Sequence, residues 1–259
     1  MPSEPRVRPR HVIYDELLRH QVDLSFDLES SFFRMARQWR AASTILDFGC
    51  GNAYYSQRLA ERHPEKRFIC VEKDAELAAL AAARLRGRNI DIVPGTYTDC
   101  PDDLRFDFLL ARHALSYVAD RDSFVRWYTE RSSAHAGALT IDANDAVFAV
   151  TPSLPLLEAG NEDFKEDVRE SGGNRDLSDE LPAIWARHGF AHGFTSQLLV
   201  HSDMRDRKYL MYMFMKAVAE IDHGSPLPDQ VRNEVDSWAA DPDSYLQYGL
   251  FATYFEKES

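Results

Sequence analysis

Between residues 44 and 142 the chain alternates short apolar runs with longer stretches of helical periodicity. Thr44–Phe48, Arg67–Glu72, Ile90–Val93, Phe106–Ala111 and Ala138–Asp142 are dense in Ile, Leu, Val and Phe, as strands buried on both faces must be. Tyr54–Arg62 separates the first two, and Ala75–Arg86, almost pure helix former, separates the next two. Alternation of this kind predicts an α/β fold with a doubly wound, mostly parallel sheet. Asp120–Ser133 adds a helix before the fifth strand, with Phe124, Trp127 and Tyr128 at i, i+3 and i+4.

The flanks read differently. Ahead of the core, Leu28, Phe32, Met35 and Trp39 form one apolar face of a helix from about Asp27 to Trp39, preceded by a shorter helix around Val12–His20. After the fifth strand, Asn144–Leu177 carries Pro152, Pro155, Gly160, Gly172 and Gly173 as breakers, and acids at Glu158, Glu162, Asp163, Glu166, Asp167 and Glu170; it is expected to be a loop or lid. A helix over Leu181–His188 and a sixth strand over Phe190–Val200 follow, and Gly249–Phe255 reads as the last strand. Between those strands, Leu210, Met213, Phe214, Ala217 and Ile221, then Leu227, Val231, Val235 and Trp238, mark two amphipathic helices inserted as a cover. The expected division is a helical segment over residues 1–40, a core over 41–200 with its lid at 144–177, and the cover and last strand over 201–259.

With 44% hydrophobic residues, the 259-residue chain has the material for an ordinary globular core. The longest strongly apolar stretch, Tyr209–Ala219, is interrupted by Lys216 and is too short to span a bilayer. No secretory pattern follows Met1, so the cytoplasm is the expected compartment. The net charge of −12 resides wholly in residues 140–259, which hold 22 acidic and 10 basic residues. Nucleic acid is bound mainly through Lys and Arg on phosphates, so a nucleic-acid partner is not expected. Cys50, Cys70 and Cys100 lack metal-type spacing and read as reduced thiols.

Candidate chemistry begins where the first strand ends, in Leu46-Asp47-Phe48-Gly49-Cys50-Gly51-Asn52. Two glycines around one residue let the backbone turn sharply and approach a ligand at the carboxyl edge of a parallel sheet. Glu72 closes the second strand 21 residues after Gly51, the spacing at which a carboxylate accepts hydrogen bonds from both hydroxyls of a ribose. Asp99, in Gly95-Thr96-Tyr97-Thr98-Asp99, stands where a carboxylate meets an adenine amino group. Tyr54 occupies the third glycine position of a dinucleotide fingerprint, and Asp47 would repel a diphosphate while attracting an ammonium. The ligand these features describe is a nucleoside with a cationic amino-acid tail and no phosphate, as in S-adenosyl-L-methionine.

The segment LDFGCGNAYYS, with Glu72 and Asp99 behind it, resembles the core of the class I S-adenosylmethionine-dependent methyltransferases over roughly Thr44–Asp142, and more weakly on to Val200. The resemblance implies a Rossmann-like sheet of seven strands, the last antiparallel, and conversion of the cofactor to S-adenosyl-L-homocysteine. It places Asp47, Gly49, Cys50 and Gly51 around the methionine part, Glu72 and Lys73 at the ribose, and Thr98 and Asp99 near the adenine. Arg112-His113-Ala114-Leu115 resembles the family's segment beside the transferable methyl, with Arg112 on the cofactor side. Methyltransferases of nucleic-acid bases carry a D/N-P-P-Y-like tetrad there, which this chain lacks. Asp142, Ala143, Asn144 and Asp145 echo one magnesium-binding element of catechol-type enzymes, but Arg112 stands where the other ligand would be, so no metal is expected.

A sulfonium methyl transfers in line to a lone pair, so the protein chiefly aligns donor and acceptor in a dry site. A base is needed only when the acceptor has a proton to lose; His113 is the best-placed candidate, with packing or ring stacking as its alternative role. Acceptor contacts are expected from Tyr14 and Phe26 before the core, Tyr117 above the fourth strand, Asn144 and Phe148 in the lid, and Tyr209 and Tyr212 in the cover. The leading reading is methyl transfer to the N or O atom of a small molecule, by a monomer or homodimer away from membranes. The alternatives are a protein methyltransferase with an open groove, and a cofactor-binding protein that transfers no methyl group.

Overall fold

The computed structural model describes residues 7–175, 177, 179–203 and 205–258. Residues 1–6 of the expected N-terminal segment, Asp176 of the expected lid, and Met204 and Ser259 of the expected cover region lie outside them.

The chain runs α1 (Arg10–Met35), β1 (Thr44–Phe48), α2 (Tyr54–Arg62), β2 (Arg67–Glu72), α3 (Ala75–Arg84), β3 (Ile90–Pro94), β4 (Phe106–Arg112), α4 (Arg121–Arg131), β5 (Ser132–Thr151), α5 (Pro155–Glu170), α6 (Glu180–Arg187), β6 (Phe190–His201), α7 (Arg205–His223), α8 (Asp229–Ala240) and β7 (Tyr245–Lys257). The strands form one mixed seven-stranded sheet in the order β3-β2-β1-β4-β5-β7-β6, with flanking helices, a Rossmann-like arrangement. β1 pairs in parallel with β2 and β4, β2 with β3, and β4 with β5. The order reverses at β1, so the carboxyl ends of β1 and β4 flank a topological switch point, where open α/β sheets bind ligands.

Two compact units divide the chain. One comprises Phe26–Asn144, Val168–Leu198 and Leu250–Ser259, and holds β1–β4 with their helices. Its core joins Leu46, Ile69, Val71, Phe106 and Leu109 of the sheet to Phe124, Trp127, Tyr128 and Trp185 of the helices. The i, i+3, i+4 aromatics of α4 are thus core residues. Local signals start these helices: the Asp74 carboxylate accepts from the Glu76 and Leu77 amides before α3, and Asp120 accepts from Ser123 before α4. The other unit comprises Met1–Ser25, Asp145–Asp167 and Leu199–Gly249. Within it, Leu227, Val231, Val235 and Trp238 are buried as their spacing predicts. In α7 the buried residues are Met211, Met215, Ala217 and Ala219, of which Ala217 belongs to the expected face and the others lie one step out of phase with it. Among the described residues no helix is long and apolar enough to cross a membrane.

Three expectations need correction. The two N-terminal helices are one, α1, because no Gly or Pro interrupts residues 10–35. The expected lid loop is a strand end followed by a 16-residue helix, α5. Gly160 sits inside that helix without ending it, and a methyl group there would lie 2.9 Å from Asp222 Oδ2, so the glycine serves close packing. The Leu156 and Leu157 amides in the first turn of α5 donate to the Glu234 carboxylate at 3.0 Å each, a cap from a distant part of the chain. Asn144 and Phe148, expected in the lid, consequently lie on β5, which runs for 20 residues.

Candidate active site

The turn after β1 is built from left-handed backbone. Gly49 and Gly51 have φ of 69° and 57°, and Ala53 follows at 54°. A Cβ at Gly49 would stand 2.6 Å from Ala114 Cβ, so this glycine is required on both conformational and steric grounds. The Gly49 and Cys50 amides donate to the carbonyl of Val71, at 2.9 and 3.0 Å, binding the turn to β2.

The carboxylates expected around this turn are already engaged. Glu72, 8% exposed, accepts from the Gly51 amide at 2.7 Å and from the Asp74 amide at 2.8 Å. Asp47 is buried and accepts from Ser56 Oγ at 2.6 Å. Burial pushes its carboxyl up to about 6, against the opposing effects of the Ser56 hydrogen bond and the Arg112 charge. Asp99 is exposed and accepts from the Thr96 amide and hydroxyl, which hold it below its ordinary value. Thr98 and Lys73 are exposed, the former sharing a 2.8 Å hydrogen bond with Thr96. The half-buried Cys50 thiol is raised well above its usual range, first by its hydrogen bond with Cys70, then by burial and the nearby Asp47 and Glu72 charges.

At the end of β4 the sequence concealed a buried ion pair. Arg112 meets the Glu29 carboxylate of α1 through Nε and Nη2, at 3.0 to 3.2 Å, and both side chains are removed from solvent. The guanidinium also lies 4.9 Å from the centre of the Tyr55 ring. Glu29 has no sequence signal of its own, since a carboxylate on an amphipathic helix ordinarily faces water; its spacing from the buried Phe26, Phe32 and Phe33 is the one hint.

His113 follows in a left-handed conformation, φ 52°, with its amide donating to the Ile141 carbonyl at 2.7 Å. Its Nε2 is buried and has no hydrogen-bond partner among the described residues. Burial, then the positive charges of Arg112 and Arg175, hold its pKa well below the usual value, so the ring is neutral. Asp142, at the end of the β5 segment that pairs with β4, is 1% exposed, and neither carboxylate oxygen has a partner among the described residues. Burial pushes this carboxyl up to about 7, against Arg175, Arg112 and Arg121.

The expected acceptor residues are divided between the two units. Asn144 and the exposed Tyr117 belong to the unit that carries the glycine turn, as does Phe26, which is buried against Tyr55 with ring centres 5.2 Å apart. Tyr14, Phe148, Tyr209 and Tyr212 belong to the other unit. There Tyr14 accepts from Arg10, Tyr212 donates to Asp236 at 2.8 Å, and Phe148 and Tyr209 are exposed. No group of three His, Cys, Asp or Glu among the described residues is arranged to hold a metal.

Residues 45–130 match the family model described as a methyltransferase domain. The fold is that of Haemonchus contortus phosphoethanolamine N-methyltransferase 2, solved with phosphomonomethylethanolamine and S-adenosylhomocysteine, with a TM-score of 0.53 and 16% identity over 84% of this chain. This chain spans only 49% of that protein. Mycolic acid cyclopropane synthase, solved with S-adenosylhomocysteine, gives 0.53 at 11% identity, covering 82% of this chain and 78% of that one. The 4+2 cyclase SpnF gives 0.52 at 19%, covering 83% and 74%. No curated protein matches the chain in sequence. Residues 45–130 are thus similar to a methyltransferase domain, and the chain has the fold of S-adenosylmethionine-dependent methyltransferases.

Proposed function

We propose that the protein transfers a methyl group from S-adenosylmethionine to the N or O atom of a small molecule, with donor and acceptor meeting beyond the carboxyl ends of β1 and β4. The observation that carries this reading is the pair of left-handed glycines, Gly49 and Gly51, fastened to the Glu72 carboxylate. Gly49 lets the turn pack directly against Ala114, and Glu72 retains acceptor capacity for a ribose beyond its two amide bonds. Asp47, buried, raised and bonded to Ser56, suits the ammonium of the methionine part, which would draw its proton affinity back down. Cys50 and Gly51 line the same turn, with Lys73, Thr98 and Asp99 at the ribose and adenine ends and Arg112 fixed by Glu29 below the methionine.

Bound there, S-adenosylmethionine supplies an electrophilic methyl group. The chain's part is to orient the nucleotide through Glu72, hold the amino-acid end at Asp47, and keep the reacting centre dry. Tyr117 and Asn144 are the proposed acceptor contacts on the unit that carries the glycine turn. The likeness to a cyclase favours one second reading, use of this fold for a reaction other than methyl transfer.

Calorimetric titration with S-adenosylmethionine, S-adenosylhomocysteine and NAD tests the cofactor; binding of NAD alone overturns the reading. Incubation with methyl-labelled cofactor and fractionated cell extract tests the transfer. Label in small molecules supports the proposal, label in protein favours a protein methyltransferase, and binding without label favours the second reading.

A further inference from the structure

Three buried polar atoms, just past the end of β4 and midway along β5, have no hydrogen-bond partner among the described residues: Nε2 of His113 and both carboxylate oxygens of Asp142. The two residues are neighbours through the backbone, since the His113 amide donates to the carbonyl of Ile141, the residue before Asp142. Both side chains also lie within electrostatic reach of the same two guanidinium groups, Arg112 and Arg175. A buried polar group without a partner destabilises a fold, and a left-handed non-glycine residue such as His113 adds strain. Such features persist where something other than the fold itself uses the exposed bonding capacity.

We infer that Asp142 is the acceptor-side catalytic residue: its carboxylate receives the proton of an acceptor whose nucleophilic N or O atom carries one, while His113 Nε2 holds the acceptor in place. The inference rests on the methyl-transfer reading above and narrows its substrate class to amines and hydroxyl compounds. It excludes acceptors whose nucleophilic atom has no proton to lose. As the acceptor's bond to hydrogen breaks, the proton moves to a carboxylate oxygen of Asp142. The electron pair on the nucleophilic atom forms the bond to the methyl carbon, and the pair of the broken carbon–sulfur bond stays on sulfur. The sulfonium and carboxylate charges disappear together, and Asp142 returns its proton to water after product leaves.

The surroundings suit that task. The charges acting on Asp142 are those of Arg112 at the end of β4, Arg121 at the start of α4 and Arg175 between α5 and α6, and the His113 amide is bonded to the carbonyl of the preceding residue, Ile141. Arg112 is paired with Glu29, and Arg121 with Glu180, so neither is hydrogen-bonded to Asp142. Burial outweighs these cations and brings the carboxyl to about 7, where it can both take and release a proton near neutrality. His113, held neutral, offers Nε2 as a hydrogen-bonding group.

The test uses the full chain as wild type, Asp142→Asn, Asp142→Glu and His113→Asn. The first readout is the titration of the Asp142 carboxyl carbon by NMR in protein saturated with S-adenosylhomocysteine, which requires no acceptor. The expected midpoint lies near neutrality, and a midpoint in the ordinary carboxylate range overturns the inference. The second is label transfer from S-adenosylmethionine into extract small molecules as pH is raised. Wild-type transfer should rise through neutrality, while Asp142→Asn, with calorimetric S-adenosylhomocysteine affinity unchanged, should fall by about 100-fold and lose that pH limb. Asp142→Glu should recover part of the rate. Transfer by Asp142→Asn at the wild-type rate with an unchanged pH profile overturns the base alone, leaving methyl transfer standing. A wild type that binds the cofactor and labels nothing overturns the methyl-transfer reading itself.

Discussion

The carboxyl edge of the sheet is finished in two ways. At β1 and β2 the acidic side chains have internal partners: Glu72 with two backbone amides, Asp47 with Ser56, and nearby Asp99 with Thr96. At β4 and β5, both carboxylate oxygens of the buried Asp142 and Nε2 of the half-buried His113 have none among the described residues. The first region is a preformed cradle, rigid before any ligand arrives, and suits a cofactor common to every turnover. The second leaves bonding capacity unused, as the proposed acceptor site requires. Arg112 stands beside both, its charge acting on Asp47, His113 and Asp142.

That shared position makes the ion pair under Arg112 the place where the comparison breaks most severely. Glu29→Gln leaves a buried guanidinium without its counter-charge and should cost about 3–5 kcal/mol of stability, measured by chemical denaturation. Replacing both partners with Leu and Met should cost much less; an equal loss would mean that the fold depends on the charges themselves.

Next in size is Glu72→Ala, which removes the ribose acceptor and loosens the Gly51 turn. S-adenosylhomocysteine binding should weaken by about 1.5–3 kcal/mol in calorimetry, the range for hydrogen bonds to a charged group. Unchanged affinity in the folded variant would remove Glu72 from the cradle.

Asp142→Asn should move stability in the opposite direction, which is the sharpest contrast between the regions. The native carboxyl, at about 7, holds its proton above the ordinary value of 3.8, so native stability falls as pH rises through that window and is constant beyond it. The Asn variant lacks this loss and should gain about 1–2 kcal/mol over wild type above neutrality, with a smaller difference in acid, as thermal unfolding across pH would show. Asp47 has the same sign up to about 6, but its bond to Ser56 offsets part of any gain in Asp47→Asn. The smallest expected effect is that of EDTA: turnover should be unchanged, and loss restored by magnesium would make Asp142 or Asn144 a metal ligand.

Much of the cradle was legible in the sequence, because its parts are local. Strands buried on both faces read as apolar runs, and the glycines and Glu72 stand at spacings set by one strand-helix-strand unit. The acceptor side was less legible because its determinants are long-range. Asp142 looked like half of a metal site, and its isolation depends on what surrounds it in three dimensions. Glu29 meets Arg112 across 83 residues, a pairing no local pattern announces. The helix α5 was hidden by its Pro, Gly and acidic residues, although Leu157, Phe164 and Val168 kept a helical spacing; breakers outweighed periodicity wrongly, because Pro155 begins the helix and Gly160 packs within it.

The raised Cys50 thiol has a consequence for self-damage. A sulfonium is an alkylating agent, and a thiolate is a far better nucleophile than a thiol. A cysteine between the two glycines of the cradle, if ionised, would compete with every acceptor and methylate the enzyme itself. Cys70, burial and the carboxylates of Asp47 and Glu72 together keep Cys50 protonated. The same acidic surroundings that suit the proposed cationic ligand thereby disarm the thiol of the turn.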